Sequence, residues 1–199
     1  HLEINLGYQH RGIEKMMFGA DDLQRLMIAE SIAGDTVIGH TLAYAMAREA
    51  LTQSAVSLRA QSIRMIAEEL ERVAMHLAGL SGIANDIGLA IAAGAYGRLR
   101  TLVINSSGQL CGSRFGRGLI VPGGIRFDLH ETNTRKIAEQ LEEVYRDVQL
   151  IHEFMFNLTG ALSRFENTGC VPKEWAEAVG LVGPAARSCG VPLDTRHQF

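Results

Sequence analysis

The sequence predicts a mainly α fold, a long-helix bundle with a short glycine-rich β-hairpin or loop region. Three observations point to this class. All four prolines lie at or after Pro122, so residues 1–121 lack the strongest helix breaker. Long runs of apolar residues recur at helical spacing, and a glycine-rich segment, residues 108–124, lies between them.

The first helical region is predicted over residues 22–51. Asp21 and Asp22 stand at its start, where carboxylates suit the N–H groups of a helix N-terminus. Gly34 and Gly39 weaken the helix and predict a kink or break in this part of the chain. The predicted apolar face consists of Leu23, Leu26, Ile38, Leu42 and Ala45.

The second helical region has the clearest amphipathic pattern. Its apolar residues are Ile63, Ile66, Leu70, Val73, Leu77 and Leu80. Arg64, Glu68, Glu71 and Arg72 are predicted on its other faces, where Arg64–Glu68 and Glu68–Arg72 have the spacing of ion pairs worth about 0.3–0.5 kcal/mol each.

A third apolar run continues for about four heptads and predicts a long antiparallel bundle helix rather than an independent coiled coil. Its members are Ile137, Leu141, Val144, Val148, Ile151, Met155, Leu158 and Leu162. The glycine-rich residues 108–124 favour turns and a short hairpin. One more short helix is predicted around residues 173–179.

The composition is that of a globular domain, with 47% hydrophobic and 21% charged side chains. A net charge of −3 provides no basic field of the kind that nucleic-acid binding through the phosphate backbone requires. The longest weakly polar stretch, residues 73–95, contains His76, Asn85 and Asp86, which are costly in a bilayer. We therefore expect neither a nucleic-acid partner nor a transmembrane helix.

The chain opens at His1 without the pattern of a targeting signal. Its three cysteines, Cys111, Cys170 and Cys189, are far apart in sequence and form no CxxC pair. They support neither a disulfide framework nor a cluster motif, so a reducing, cytoplasmic setting is expected.

Two common site patterns lack the context that they require. Residues 116–118 have a phosphate-loop-like G-R-G pattern but run into residues 119–122 without opening a helix. Residues 68–71 and His76 place carboxylates and an imidazole on one helix, yet no glutamate stands three residues before His76, as carboxylate-bridged di-iron bundles require. We interpret this second group as a solvated helix face.

Several motifs occur in the order of one known family. Residues 7–15, G-Y-Q-H-R-G-I-E-K, resemble the G-x-x-H-R-G-x-E-K signature near the start of the large subunits shared by complex I, the quinone-reducing NADH dehydrogenase, and membrane-bound nickel–iron hydrogenase. The further matches are residues 40–45 with Arg48 and Glu49, residues 59–64 with Glu69, Arg72 and His76, residues 86–88, residues 122–124, and residues 182–190 with Asp194 and Arg196. The resemblance spans nearly the whole chain.

This resemblance implies a mostly helical large subunit that docks against an iron–sulfur small subunit at the foot of an ion-pumping membrane arm. In hydrogenases of the family, a CxxC pair that binds nickel follows the E-R-I run. Ala33 and Thr36 occupy the two cysteine positions here. Since such a site needs thiolate ligands, we expect no nickel–iron site and no other cofactor in this chain.

The sequence also departs from the complex I pattern. The arginine and tyrosine that the family places near the terminal cluster and the quinone headgroup appear here as Ser31 and Gly34. The family's histidine near that cluster falls on Gly116, with Arg117 beside it. Quinone is therefore one acceptor among several that remain open. Since the family extends on both sides of this sequence, residues 1–199 are expected to form a single domain of a longer large subunit.

The predicted catalytic residues are His10, Arg11, Glu14, Lys15, Asp35 and His40. The resemblance implies a charged cluster at the cofactor-facing edge, in which His10 relays protons. The alternative is that ion pairing of Arg11 with Glu14 only anchors a turn. His40 is open to a similar alternative, because a lone histidine on an apolar helix face is often a hydrogen-bonded core residue.

We therefore expect a subunit of a membrane-associated NADH dehydrogenase-like or hydrogenase-like oxidoreductase complex that contributes to electron transfer toward a quinone or another acceptor. The first alternative is a non-catalytic scaffold that couples a peripheral redox arm to a membrane ion transporter. The second is an unrelated helical binding domain. The expected location is cytoplasmic and peripheral to the inner membrane.

The expected partners are a small subunit that carries an iron–sulfur cluster and the subunits of the membrane arm. The isolated fragment is expected to be inactive. We also expect it to form a two-fold dimer through an uncovered apolar face of the third run, which includes Ile137, Leu141, Val148 and Met155.

Overall fold

The computed structural model describes residues 1 and 3–194. The chain divides into two compact units, His1–Met155 and Phe156–Phe199. The predicted mainly α fold is confirmed, because helices dominate the described residues and the strands found there form one short hairpin. The prediction of a single domain over residues 1–199 stays a prediction.

The first unit is a succession of helices joined by short connections. They are α1 (Ile13–Gly19), α2 (Asp22–Ala29), α3 (Val37–Thr52), α4 (Leu58–Asp86), α5 (Ala90–Cys111) and α6 (Glu131–Phe156), after a 3-10 turn at Gly7–Gln9. Between α5 and α6, β1 (Ile120–Val121) and β2 (Gly124–Ile125) pair antiparallel. The predicted glycine-rich hairpin is therefore confirmed.

The second unit contains three short helices in its described part. They are α7 (Thr159–Phe165), α8 (Lys173–Ala178) and α9 (Gly183–Ser188). Each buries an alanine, namely Ala161, Ala176 and Ala186. The rings of Phe156 and Phe165 stack with centroids 5.8 Å apart. The helix predicted around residues 173–179 is confirmed as α8.

The core of the first unit lies along α4 and α5. Ile63, Leu70 and Leu77 are buried at heptad spacing on α4, as the second apolar run predicted. By contrast, α5 was not predicted as a separate helix, although it buries Tyr96 and Leu99 completely. Its apolar residues are not concentrated in one stripe, so periodicity provided little signal for it. Among the described residues, no helix is both long and apolar enough to cross a membrane.

The first predicted helical region is divided into α2 and α3, with the break in the part of the chain that Gly34 and Gly39 indicated. Asp21 caps α2 by accepting from the Gln24 N–H at 2.8 Å, and the Gln24 side chain accepts from the Asp21 N–H at 3.1 Å. Residues 30–36, called the 30–36 loop below, then separate α2 from α3. Leu23 was predicted on the apolar face and is 59% exposed instead, because α2 turns Leu26 inward.

The third apolar run forms two helices, α6 and α7, rather than one. Ile137, Val144 and Met155 are buried, and Leu141 and Val148 pack against the same core. The expectation that this face stays uncovered is therefore wrong. Homodimerisation stays a prediction, but this face no longer supports it.

Glu49 of α3 and Arg64 of α4 form a buried two-point ion pair. Arg64 Nη2 lies 2.6 Å from Glu49 Oε1, and Nη1 lies 3.1 Å from Oε2. The same guanidinium donates to the carbonyls of Val121 and Gly124 at 2.7 and 2.8 Å, while the Gly123 N–H donates to Glu49 at 2.7 Å. One cluster therefore joins α3, α4 and the hairpin.

The prediction that Arg64 pairs with Glu68 is wrong, because Arg64 is 4% exposed and binds Glu49 instead. The Glu68–Arg72 pair is present at 3.4 Å. The Arg64 guanidinium holds the pKa of Glu49 below its ordinary value. This contribution to stability is therefore present above the unfolded-state pKa of about 4.3 and is lost as pH falls through the lower folded-state value.

We expect Arg64→Ala to lower the free energy of unfolding by about 3–5 kcal/mol, because it leaves the Glu49 carboxylate buried without its partner. Chemical denaturation followed by circular dichroism measures this change. Arg135→Ala is the matched control, since Arg135 is 72% exposed and pairs with Glu131 within the same helix. The control should change stability by less than about 0.5 kcal/mol. Equal effects of the two substitutions would contradict the assigned role of the buried pair.

Candidate functional site

The 30–36 loop lies where the resemblance places the first nickel-binding cysteine pair. The Thr36 N–H donates to the Ala33 carbonyl at 3.3 Å, so the two positions are joined by one turn of backbone. Their methyl and hydroxyl groups offer no thiolate, and the donor set therefore does not fit a nickel–iron group. Across the described residues, no group of three or more His, Cys, Asp or Glu is arranged to hold a metal ion.

Two arginines from distant parts of the chain hold the 30–36 loop. Arg11 Nη1 donates to the Ser31 carbonyl at 2.9 Å, and its other terminal nitrogen donates to the Ile32 carbonyl. Arg117 Nη1 donates to the Ser31 hydroxyl at 3.4 Å. Both side chains are exposed, and the ion pairs found among the described residues include neither of them. Two guanidinium charges therefore meet at Ser31, and within the described part of the chain no carboxylate pairs with either.

The predicted cluster at residues 10–15 is only partly assembled. The Gly12 N–H donates to His10 Nδ1 at 3.2 Å, which leaves Nε2 to carry the proton of the neutral ring. Glu14 and Lys15 are exposed on α1. Arg11 bonds to the 30–36 loop carbonyls, so in this structure the loop takes the place of Glu14 as its partner. The proton-relay role of His10 stays a prediction.

Asp35 and His40, the other two predicted residues, lie on either side of the start of α3. Asp35 Oδ2 is 3.2 Å from Arg100 Nη2, which links the 30–36 loop to α5. Asp35 also lines a narrow crevice together with Glu71, Arg100 and Arg114. His40 is half-buried on α3. Of the predicted residues, Asp35 thus belongs to the 30–36 loop and Arg11 is hydrogen-bonded to it.

Glu71 was predicted on a solvated helix face, and that interpretation is wrong. Its two carboxylate oxygens accept from the N–H groups of Ile38 and Gly39 at 2.7 and 2.9 Å. Glu71 on α4 therefore caps the N-terminus of α3. Burial raises the pKa of Glu71, and the two backbone hydrogen bonds oppose this shift. Its partners lie far away in sequence, so no local pattern could reveal the contact.

A second carboxylate, Glu30, ties the 30–36 loop to the glycine-rich segment. Glu30 is 8% exposed, and its Oε1 accepts from the Gly118 N–H at 2.7 Å. Nearby, Gly116 has φ +74°, and a Cβ added there would lie 2.3 Å from Ile38 Cδ1 and 2.7 Å from Cγ1. Ile38 is itself buried in the core. The position that the resemblance equates with a histidine therefore requires glycine in this packing.

Comparison with known proteins supports one family. The family described as respiratory-chain NADH dehydrogenase, 49 Kd subunit, matches residues 86–199. The membrane-bound hydrogenase subunit alpha of Pyrococcus furiosus is 30% identical over 98% of this chain and 46% of its own length. An NADH-quinone oxidoreductase subunit of Thermosipho melanesiensis is 32% identical over 96% of this chain and 52% of its own length.

A third relative, a subunit of the F(420)H(2) dehydrogenase of Methanosarcina mazei, is 30% identical over 98% of this chain and 52% of its own length. Among solved structures, a chain of the membrane-bound sulfane sulfur reductase, an archaeal respiratory membrane complex, superposes with a TM-score of 0.90 and 26% identity. The match covers 96% of this chain and 51% of that one. The chain thus spans about half the length of these relatives.

We expect the stability that wild-type Glu71 confers, relative to Glu71→Gln, to decrease as pH rises. Because the folded-state pKa is raised, the contribution is fully present below the unfolded-state pKa of about 4.3 and is lost as pH rises through the folded-state value. Denaturant unfolding of both proteins from about pH 4 to 8 gives the difference. Glu142→Gln at an exposed position of α6 is the control and should change stability by less than about 0.5 kcal/mol. A difference that grows with pH would contradict the burial of Glu71.

Gly116→Ala should lower stability by about 2–4 kcal/mol, through left-handed backbone strain plus overpacking against Ile38. Gly112→Ala is the matched control, because Gly112 has φ +76° but open space around its missing Cβ, so only backbone strain applies. In an Ile38→Ala background, the cost of Gly116→Ala should fall to that of the control. A double-mutant cycle measures this coupling. Additive effects would show that Ile38 does not restrict position 116.

Proposed function

Because the chain belongs to the family of the respiratory-chain NADH dehydrogenase 49 Kd subunit, we propose that it serves in a membrane-associated NADH dehydrogenase-like or hydrogenase-like oxidoreductase complex. In that complex it contributes to electron transfer toward a quinone or another acceptor, without a nickel–iron site of its own. The chain lies on the cytoplasmic side of the inner membrane, as a peripheral part of the complex.

One observation carries this proposal: the 30–36 loop keeps a defined structure although it has no thiol. Arg11, Glu30 and Asp35 each connect the loop region to a different part of the fold. These contacts fix the loop at the edge where the resemblance places the family's redox site. The relatives with similar sequences are subunits of NADH-quinone oxidoreductase, F(420)H(2) dehydrogenase and membrane-bound hydrogenase, which supports a redox role for this edge.

The proposed partners are an iron–sulfur small subunit, which carries the cluster, and subunits of the membrane arm. Arg11 and Arg117 support a docking edge at Ser31, because two exposed guanidinium groups close together favour an anionic partner surface. Like charges without a counter-charge raise the energy of the free chain, and an acidic partner group removes that cost.

The chain's own residues provide proton handling at this edge. Reduction of a quinone takes up protons as well as electrons, so groups that exchange protons are needed beside the acceptor. His10 has Nε2 available while Nδ1 is occupied by the Gly12 N–H. The Asp35 carboxylate is 54% exposed and is oriented by Arg100. We propose that His10 and Asp35 deliver protons. Arg11 holds the 30–36 loop, which contains Asp35, next to the segment that carries His10.

The test uses the full-length protein purified with its small subunit. We expect no stoichiometric nickel on the large subunit, and reduction of a quinone analogue that falls at least about tenfold in His10→Gln and Asp35→Asn, in line with the usual contribution of a positioned proton donor. Asp147→Asn is the matched control, since Asp147 forms an ion pair with Arg98 away from this loop. Stoichiometric nickel would overturn the proposal.

A non-catalytic scaffold is the second candidate function, and Gly116 favours it. The packing of Ile38 leaves no room for a side chain at the position of the family's cluster-proximal histidine. In a scaffold, the docking surfaces are retained and the redox chemistry is lost. Assembly with the small subunit together with quinone reduction that is unaffected by His10→Gln and Asp35→Asn would support the scaffold over the redox subunit.

A further inference from the structure

The second unit brings together two cysteines that are far apart in sequence. Cys170 and Cys189 both line one open pocket of about 400 Å³, together with Val171, Leu181 and Ala185. Both thiols are free; Cys170 is exposed and Cys189 is half-buried. No CxxC spacing links them, so their meeting could not be predicted from local pattern.

Short helices hold the two cysteines at this pocket. Cys170 lies on the segment that leads into α8, and Cys189 is the residue at which α9 ends. Two backbone bonds close the turns after these helices, from the Leu181 N–H to the Ala176 carbonyl at 2.9 Å and from the Val191 N–H to the Ala186 carbonyl at 3.0 Å. The first turn fixes the backbone after α8, where Leu181 lines the pocket, and the second fixes the end of α9, where Cys189 lines it.

Each cysteine also has a glycine neighbour with a left-handed backbone. Gly169 has φ +64° and precedes Cys170, while Gly190 has φ +81° and follows Cys189. Glycine loses little when its dihedral angles change, so the backbone on one side of each thiol can adjust. Such adjustment matters because a disulfide needs Cα atoms about 4.4–6.8 Å apart.

Cys111, the third cysteine, provides an internal contrast in the first unit. It is half-buried at the end of α5, and its Sγ lies 3.7 Å from the Ser113 carbonyl. Burial raises the pKa of the Cys111 thiol, which disfavours the reactive thiolate. Cys111 belongs to the first unit and does not line the pocket that Cys170 and Cys189 share.

We propose that Cys170 and Cys189 form a reversible dithiol–disulfide pair that a peroxide oxidises. One thiolate attacks a peroxide oxygen, the O–O bond breaks, and a sulfenic acid forms as the first water leaves. The second thiol then displaces the sulfenic hydroxyl, so that an S–S bond forms and a second water is released. Two thiols together supply the two electrons that reduce the peroxide.

The disulfide connects the segment before α8 to the end of α9 and so restrains the whole α8–α9 region. Arg187 lies on α9, where its Nη1 is 4.0 Å from Asp194 Oδ2. Both residues belong to the stretch that carries the last family motif. Oxidation would therefore lock the backbone that presents this motif, and reduction by a dithiol would release it.

The experiment treats the full 199-residue chain, fully reduced, with hydrogen peroxide. We expect an intact mass lower by two hydrogen atoms, a non-reduced peptide map with Cys170 joined to Cys189, and complete reversal by dithiothreitol. The rate should be independent of protein concentration, because both thiols lie in one molecule. Cys111→Ser should leave the cross-link unchanged, whereas Cys170→Ser and Cys189→Ser should abolish it.

Circular dichroism of the reduced variants shows whether loss of the cross-link reflects misfolding. If a serine variant misfolds, the wild-type chain is alkylated with a maleimide before peroxide treatment instead. This tests without a substitution whether the cross-link requires free thiols. We expect alkylation to prevent the cross-link. Sulfinic acid at either cysteine without a Cys170–Cys189 peptide would overturn the proposal. So would a cross-link between two chains, whose rate rises with protein concentration.

Discussion

The buried Glu49–Arg64 pair is the constraint on which the rest of the first unit depends. Two charges removed from water are tolerated only when every remaining hydrogen-bonding position is filled. Carbonyls and an N–H group of the hairpin fill them, at Val121, Gly123 and Gly124. The hairpin is thereby held against α3 and α4, and the glycine-rich segment before it reaches Glu30 at the 30–36 loop.

A second carboxylate gives α3 a different kind of anchor at its other end. Glu71 binds the first N–H groups of α3, and Glu49 lies near the last turn of the helix. The pKa values of the two carboxyl groups shift in opposite directions, since burial raises that of Glu71 and Arg64 lowers that of Glu49. The two carboxylates therefore stabilise α3 most at pH values between the lowered pKa of Glu49 and the raised pKa of Glu71.

Local patterns predicted local structure well. The helix break near Gly34, the cap at Asp21, the apolar stripe of α4 and the glycine-rich hairpin all depend on neighbours within a few residues, and all are present. Long-range contacts left no such signal. Arg64 and Glu71 have the spacing of surface residues on α4. Only the packing of α3 against α4 shows that both side chains bind residues of α3. The candidate site was likewise predicted as a cluster within residues 10–15, with Asp35 and His40 named separately, and without the hydrogen bonds that join Arg11 and Arg117 to Ser31.

The packing at Gly116 also limits the order in which substitutions can accumulate in such a chain. A side chain fits at position 116 only if Ile38 moves or shrinks, because the Ile38 side chain fills the space that a Cβ would need. A smaller residue in place of Ile38 makes that space, but this step alone leaves a cavity in the core. Each of the two changes is unfavourable without the other. A side chain at position 116 can therefore be gained only through a less stable intermediate, whichever of the two positions changes first.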